Sequence, residues 1–129
     1  VADYRSAAPA KNKIKKNDDV LNLKLEKNPD ILYGLGQRKT HQVLIGFAAE
    51  TTNVIEYGTA KLKKKNLDML VANDVSAKGA GFQGTTNIGT LLYADGRVEK
   101  LEKMSKFALA EIIVDRAAKI IATKQEGRD

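Results

Sequence analysis

The sequence predicts an α/β fold: a mostly parallel, Rossmann-like sheet (a ribokinase-like description also fits) flanked by helices, with an added β-hairpin. Three observations predict it. Val43-Leu44-Ile45-Gly46-Phe47-Ala48 is a continuous apolar run of the kind a central parallel strand carries. An amphipathic stretch follows it and leads to a second apolar run at residues 67–72, which makes a βαβ unit with a right-handed crossover. Farther on, Ala94-Asp95-Gly96-Arg97 separates two short strand-like stretches, residues 88–93 and 98–101, as a hairpin turn does.

At 129 residues and 14.1 kDa the chain can enclose one hydrophobic core but not two ordinary domains. Residues 1–129 are therefore expected to form a single unit. Val1-Ala2 reads as the end of a buried strand that empties into a polar loop at Asp3, so an upstream part is expected and the chain is read as the C-terminal half of a domain. A content of 43% hydrophobic and 29% charged residues is ordinary for a globular protein. No apolar run reaches the roughly 20 residues that span a bilayer. The absence of cysteine excludes a disulfide framework, a thiolate metal site and a cysteine nucleophile, and it suits a reducing cytoplasm. A cytoplasmic location without membrane contact is the expectation.

Taken in order, residues 3–19 are polar, contain Pro9 and lack periodicity, which predicts a long loop. Residues 20–27 alternate, with Leu21, Leu23 and Leu25 on one side, and predict a half-buried strand. Asn28-Pro29-Asp30 reads as a helix start, with Asn as N-cap and Pro in the first helical position, and that helix ends within residues 34–39. The strand at residues 43–48 comes next. Thr51 or Thr52 caps a helix through about Lys65, striped by Val54, Ile55, Gly58 and Leu62. The strand at residues 67–72 empties into Asn73-Asp74. After the hairpin, Ser105 caps a last helix to about Ala122, its buried face assigned to Phe107, Leu109, Ile112, Ile113, Ala117 and Ile120. Residues 124–129 are read as a frayed tail.

Charge is unevenly placed. Residues 11–16 and 61–65 hold four lysines each and no acid, and without those eight the rest of the chain carries 14 cations against 16 anions. A general nucleic-acid binder spreads cations along a face, favours arginine and interleaves aromatics for stacking, whereas 17 of the 22 cations here are lysine and only 5% of residues are aromatic. The clusters suit the docking of a compact polyphosphate. A solvated face, or favourable charge at a helix C-terminus, explains a lysine run equally simply.

Ligands of open α/β sheets bind beyond the carboxyl ends of the strands. That rule selects Asp3, the turn at residues 46–51 and Asn73-Asp74. Gly46 permits close backbone approach, and the helix start after Thr51 offers free N–H groups to an anion or a base edge. Lys61 and Lys65, four apart, share one helix face and can grip one anionic group together. Asp3 and Asp30 suit a divalent cation or a ribose hydroxyl, or serve simply as turn and cap residues. Phe47 belongs either to the core, like its neighbours, or beside a bound base. Gly79-Ala80-Gly81-Phe82-Gln83-Gly84 satisfies G-x-G-x-x-G, but the dinucleotide fingerprint needs a helix to open at the third glycine, and Thr85-Thr86-Asn87 leads into a strand instead. A loop that covers a site is the better reading. His41, the only histidine, sits among polar residues and is expected to be exposed.

VADYR, KIKK, KNPDIL, GFAAET, KLKKKNLDMLVANDVS and GAGF before a Thr-Asn turn stand in that order. With them the chain, from residue 1 to about 121, resembles the C-terminal part of the phosphopantothenate–cysteine ligase domain of bacterial bifunctional coenzyme A biosynthesis proteins. The resemblance implies an enzyme in which CTP activates the carboxylate of 4′-phosphopantothenate as an acyl-cytidylate, pyrophosphate leaves, and the cysteine amine displaces CMP. It also implies that Asp3, Lys13, Pro29, Asp30, Ile31, Leu32, Phe47, Lys61 and Lys65 contact CTP, with Asp3 near Mg²⁺ and Lys13 on the phosphates, these two serving the chemistry. Backbone around Asp30 and Phe47 would tell cytosine from other bases. Family members dimerise through the ligase domain and carry FMN only in an upstream decarboxylase domain. The family's other half, with its glycine-rich loop and an asparagine that turns over the acyl-cytidylate, has no counterpart in these residues, so the chain alone is expected to be inactive.

Two readings of other classes compete: a basic nucleic-acid-binding module, with affinity that falls steeply with salt and ignores CTP, and a structural or dimerisation half without chemistry. ATP in place of CTP is an alternative within the ligase reading.

Overall fold

The computed structural model describes residues 2–8, 19–75 and 86–127. The chain divides into two compact units, Val1–Ile31 and Leu32–Asp129.

In the first unit, β1 (Tyr4–Ser6) and β2 (Leu25–Lys27) form an antiparallel ladder with Tyr4 opposite Lys27 and Arg5 opposite Glu26. Arg5 and Glu26 meet at 3.1 Å, an opposite-charge cross-strand pair that supports this register. Two expectations change. Residues 3–19 are not loop throughout, because residues 4–6 find a ladder partner far along the chain that no local pattern reveals. Residues 20–27 are strand only from Leu25, and Leu21, Leu23 and Leu25 are each more than half exposed. Alternation marks a face that can be buried, but among the described residues of this unit the two-stranded ladder brings no second layer over it.

Asn28 does not cap a helix. Its side-chain nitrogen donates to the Ala2 carbonyl at 2.7 Å, its Oδ1 accepts from Arg5 Nη1 at 3.0 Å, and its backbone N–H donates to the Asp3 carbonyl at 2.8 Å. The helix α1 (Ile31–Arg38) begins farther on, and its end agrees with the sequence reading.

The second unit is built on one mixed sheet. Its strands are β3 (Ile45–Glu50) and β4 (Met69–Asp74), joined by α2 (Val54–Lys64), and then β6 (Gly89–Tyr93) and β7 (Val98–Lys100). Between β4 and β6, β5 (Thr86–Asn87) pairs with β8 (Met104–Ser105), which leads into α3 (Lys106–Glu126). The main sheet runs β3-β4-β6-β7. The βαβ unit supplies its parallel pair, Ile45 opposite Met69 through Glu50 opposite Asp74, and the expected hairpin supplies two antiparallel pairs. Gly96, at φ 93°, closes the hairpin by donating to the Tyr93 carbonyl at 3.0 Å.

Both parallel strands lie two residues later than their apolar runs. Leu44 and Asp68 explain the early end: they bond through a side chain as well as the backbone, with the Leu44 N–H donating to Asp68 Oδ2 at 2.8 Å and the Asp68 N–H to the Leu44 carbonyl at 2.9 Å. At the late end the ladder needs only backbone, so Glu50, Asn73 and Asp74 stay in it.

Side-chain alternation splits the core between two faces. Leu70, Ala72 and Leu92 pack with Leu62 and Leu67 on one face, joined by Leu32 from α1 and Val54 from α2. Met69, Val71, Leu91 and Tyr93 pack on the other, against Ile112, Ile113 and Ile120 of α3. Gly46 lies inside a strand rather than in a ligand-facing turn. A Cβ there would stand 2.7 Å from Leu67 Cδ1, so core packing accounts for this glycine.

Three helix details correct the sequence reading. Neither Thr51 nor Thr52 caps α2; Asn53 precedes it with φ 46° and makes no side-chain cap bond. Phe107 is not on the buried face of α3 and is 75% exposed. At 100° per residue it points about 200° from Leu109, so the two cannot share a face. Lys124, assigned to a frayed tail, instead lies in the last turn of α3, 2.8 Å from Asp68 and donating to the Gln42 carbonyl at 3.0 Å. Ser105 does cap α3, accepting from the Ala108 N–H at 3.0 Å. No described helix is long and apolar enough to cross a membrane.

Candidate functional site

The carboxyl ends of β3 and β4 carry Glu50, Asn73 and Asp74, and the turn into α2 leaves from the same end. Lys61 reaches this end from α2: its Nζ lies 2.6 Å from Glu50 Oε1. The contact is an ion pair without regular hydrogen-bond geometry, and Glu50 Oε1 is buried with no hydrogen-bond partner. The Glu50 side chain is 11% exposed and that of Lys61 45%. Lys65 caps the other end of α2, donating its backbone N–H to the Lys61 carbonyl at 3.0 Å. Its backbone is closely packed, since a Cβ on Gly36 would stand 2.0 Å from the Lys65 carbonyl oxygen. The two lysines share a helix face, as their spacing requires, but sit in different surroundings.

Phe47 is 70% exposed, which removes it from the core. It alternates with Ala48, which packs on the α2 face, so it lies on the α3 face of β3 while Lys61 approaches from the α2 side. The structure does not gather these two candidates on one face; they flank the strand at the edge of the described sheet. Beside Phe47 a cavity of about 180 Å³ is walled by Ala49, Val71, Gly89 and Leu109, and Asn73 adds a buried Oδ1 without a hydrogen-bond partner.

Within the first unit, Asp3 and the Asn28-Pro29-Asp30 segment are neighbours through the Asn28-to-Asp3 backbone bond, so two separate motifs meet. Asp3 and Ile31 are exposed. Leu32 packs in the core of the second unit, which leaves its backbone rather than its side chain for recognition. Lys13 and the glycine-rich segment at residues 79–84 lie outside the described residues. His41 is exposed, as expected, with its Nδ1 3.1 Å from Thr40 Oγ1. Among the described residues no three histidine, aspartate or glutamate side chains gather to hold a metal ion.

Three charged centres escaped the sequence reading. Glu50 was visible inside GFAAET, but nothing local ties it to Lys61. Asp68, 9% exposed, sits at the opposite end of β4 and accepts from Leu44, while Lys39 and Lys124 lie 3.3 and 2.8 Å away. Burial alone would raise its pKa, but these partners together hold it below the usual value. Glu99 is gripped by Arg116 at 2.9 and 2.7 Å and accepts from the Tyr93 hydroxyl at 2.9 Å. The Arg116 bonds, the largest influence, bring its pKa down to about 2.

Similar proteins share both sequence and fold with this chain. The Coenzyme A biosynthesis bifunctional protein CoaBC of Bacillus subtilis is 43% identical over 127 residues, which covers 98% of this chain and 31% of the relative. That of Haemophilus influenzae is 47% identical over 116 residues, covering 89% and 28%. The chain therefore spans about a third of the length of these relatives. The crystal structure of the C-terminal domain of a Coenzyme A biosynthesis bifunctional protein CoaBC superimposes with a TM-score of 0.73 at 39% identity, over 95% of this chain and 52% of that one. A DNA/pantothenate metabolism flavoprotein from Streptococcus pneumoniae shares the fold, with a TM-score of 0.65 at 20% identity over 84% of this chain and 46% of its own. The family model described as the DNA/pantothenate metabolism flavoprotein C-terminal domain matches residues 1–121, and the chain belongs to that family.

Proposed function

We propose that this chain is the CTP-binding half of a phosphopantothenate–cysteine ligase acting in coenzyme A biosynthesis. The observation that carries the reading is the match over residues 1–121 together with relatives that are coenzyme A biosynthesis proteins. The Lys61 ammonium at the carboxyl end of β3 supports it.

In the proposed reaction the carboxylate of 4′-phosphopantothenate attacks the α-phosphorus of CTP. The bond to the β-phosphate oxygen breaks, and pyrophosphate leaves. The cysteine amine then attacks the acyl carbon, CMP departs, and the amine's proton is lost to form the amide. Lys13, Lys61 and Lys65 neutralise the polyphosphate, whose charge grows as pyrophosphate departs. Backbone at residues 29–32 reads the cytosine edge, and Phe47 flanks the nucleotide. Asp3 would be the carboxylate that holds Mg²⁺, which would supply positive charge to the polyphosphate when bound. The complete protein acts in the cytoplasm as a homodimer, with FMN confined to an upstream decarboxylase domain, and binds neither nucleic acid nor membrane.

The test is Lys13→Ala and Lys61→Ala in the complete protein. Each should cut pyrophosphate release about a hundredfold, as expected when a group that stabilises developing charge is removed. Near-normal turnover in both would refute the assignment.

A further inference from the structure

We infer that Glu50 is a positioning residue that sets the Lys61 ammonium for an anionic ligand at the carboxyl end of β3. The inference rests on the nucleotide-site reading above.

A carboxylate is costly to remove from water, and Glu50 is nearly buried, with its Oε1 wholly so. Ala48, two positions earlier on the same face of β3, packs into the apolar core. Burial at this edge is thus served by a small apolar side chain, and stability gives no reason for a charge beside it. The charge instead fixes a partner. Lys61 is a flexible four-carbon stem whose head would otherwise spread over many rotamers, and Glu50 holds that head 2.6 Å away.

The two exposures decide which group a ligand meets. Lys61 is 45% exposed and its ammonium carries three donors, so it can face Glu50 and still offer donors to solvent. The Glu50 oxygen facing it is buried and its side chain is far less exposed than that of Lys61, so an anion arriving from solvent meets the ammonium before that oxygen. The lysine is pre-oriented before the ligand arrives, which spares part of the ordering cost of binding.

The experiment compares the complete protein with its Glu50→Gln, Lys61→Ala and doubly substituted forms, by calorimetric titration with CTP and by steady-state pyrophosphate release. Glu50→Gln should weaken CTP binding about tenfold and slow pyrophosphate release by less than Lys61→Ala does, because the ammonium is still present but no longer held. Added to Lys61→Ala, it should weaken binding no further, because the group it positions is gone. An unchanged affinity in Glu50→Gln, tighter binding, or a full extra loss in the double variant would overturn the inference. If Glu50→Gln does not fold, Glu50→Asp, which keeps the charge on a shorter stem, should raise the CTP Kd by a few fold, and an unchanged Kd counts against the inference. Failure of the unsubstituted protein to bind CTP would remove the nucleotide-site reading itself. Normal binding there with an unaffected Glu50→Gln variant would remove only the positioning role.

Discussion

Asp68 and Lys124 meet at 2.8 Å, joining the start of the central strand β4 to the last turn of α3. The same carboxylate takes the Leu44 N–H and pairs with Lys39, whose ammonium also donates to the Asn66 carbonyl at 2.6 Å. Asp68, with Lys39 carrying the link to Asn66, therefore ties together the ends of α1, α2 and α3 at the amino end of β4, opposite the end where Lys61 meets Glu50. Removing one partner of a nearly buried pair strands the others, at a typical cost of about 3 kcal/mol. Asp68→Ala should lower stability by that amount, measured from the denaturant midpoint; a loss below about 1 kcal/mol would mean the pairs act like exposed ones.

Glu99 makes stability depend on acid. Its pKa falls from an ordinary 4.5 to about 2 because Arg116 holds the ionised form. A depressed carboxylate contributes stability that is fully present above its unfolded value and is lost as pH falls through the folded one. Melting temperature should accordingly decline between about pH 4.5 and 2. Glu99→Gln should flatten this decline and lower stability at neutral pH; an unchanged acid limb would contradict the account.

Gly36 is a point of backbone contact, with any Cβ falling 2.0 Å from the Lys65 carbonyl oxygen. Backbone cannot swing aside as a side chain does, so Gly36→Ala must part α1 from the end of α2. We expect a loss of about 2–3 kcal/mol. The displaced backbone belongs to a candidate nucleotide contact, so CTP binding should weaken as well. Both follow from thermal melts and nucleotide titration of one variant.

Phe47 separates a ligand-facing aromatic from a core one. At 70% exposure its loss should change stability by less than about 0.5 kcal/mol. If it flanks a base, Phe47→Ala should nevertheless raise the CTP KM about tenfold, the scale of one base–aromatic contact. A large drop in melting temperature with an unchanged KM would reverse the assignment.

The parts of the fold legible in the sequence are those whose signal is local. The apolar runs around Ile45 and Val71, the turn at Gly96 and the Ser105 cap each announce themselves within a few residues. What the sequence hid depends on partners. The alternation of Leu21, Leu23 and Leu25 is real, but nothing in it says whether a second layer exists. Phe107 is apolar, and only the angular arithmetic of α3 keeps it off the face of Leu109. Asn28 has the chemistry of a helix cap and is taken by Arg5 and Ala2 instead. At the candidate site, Lys61 and Phe47 were visible as residue types. The carboxylate behind Lys61 and the strand between the two candidates appear only once the chain is folded.

Pyrophosphate release by the complete protein, supplied with Mg²⁺, 4′-phosphopantothenate and cysteine and given CTP or ATP, tests the central claim most directly. The account predicts release that requires 4′-phosphopantothenate and prefers CTP. No release with either nucleotide from a folded protein would contradict it.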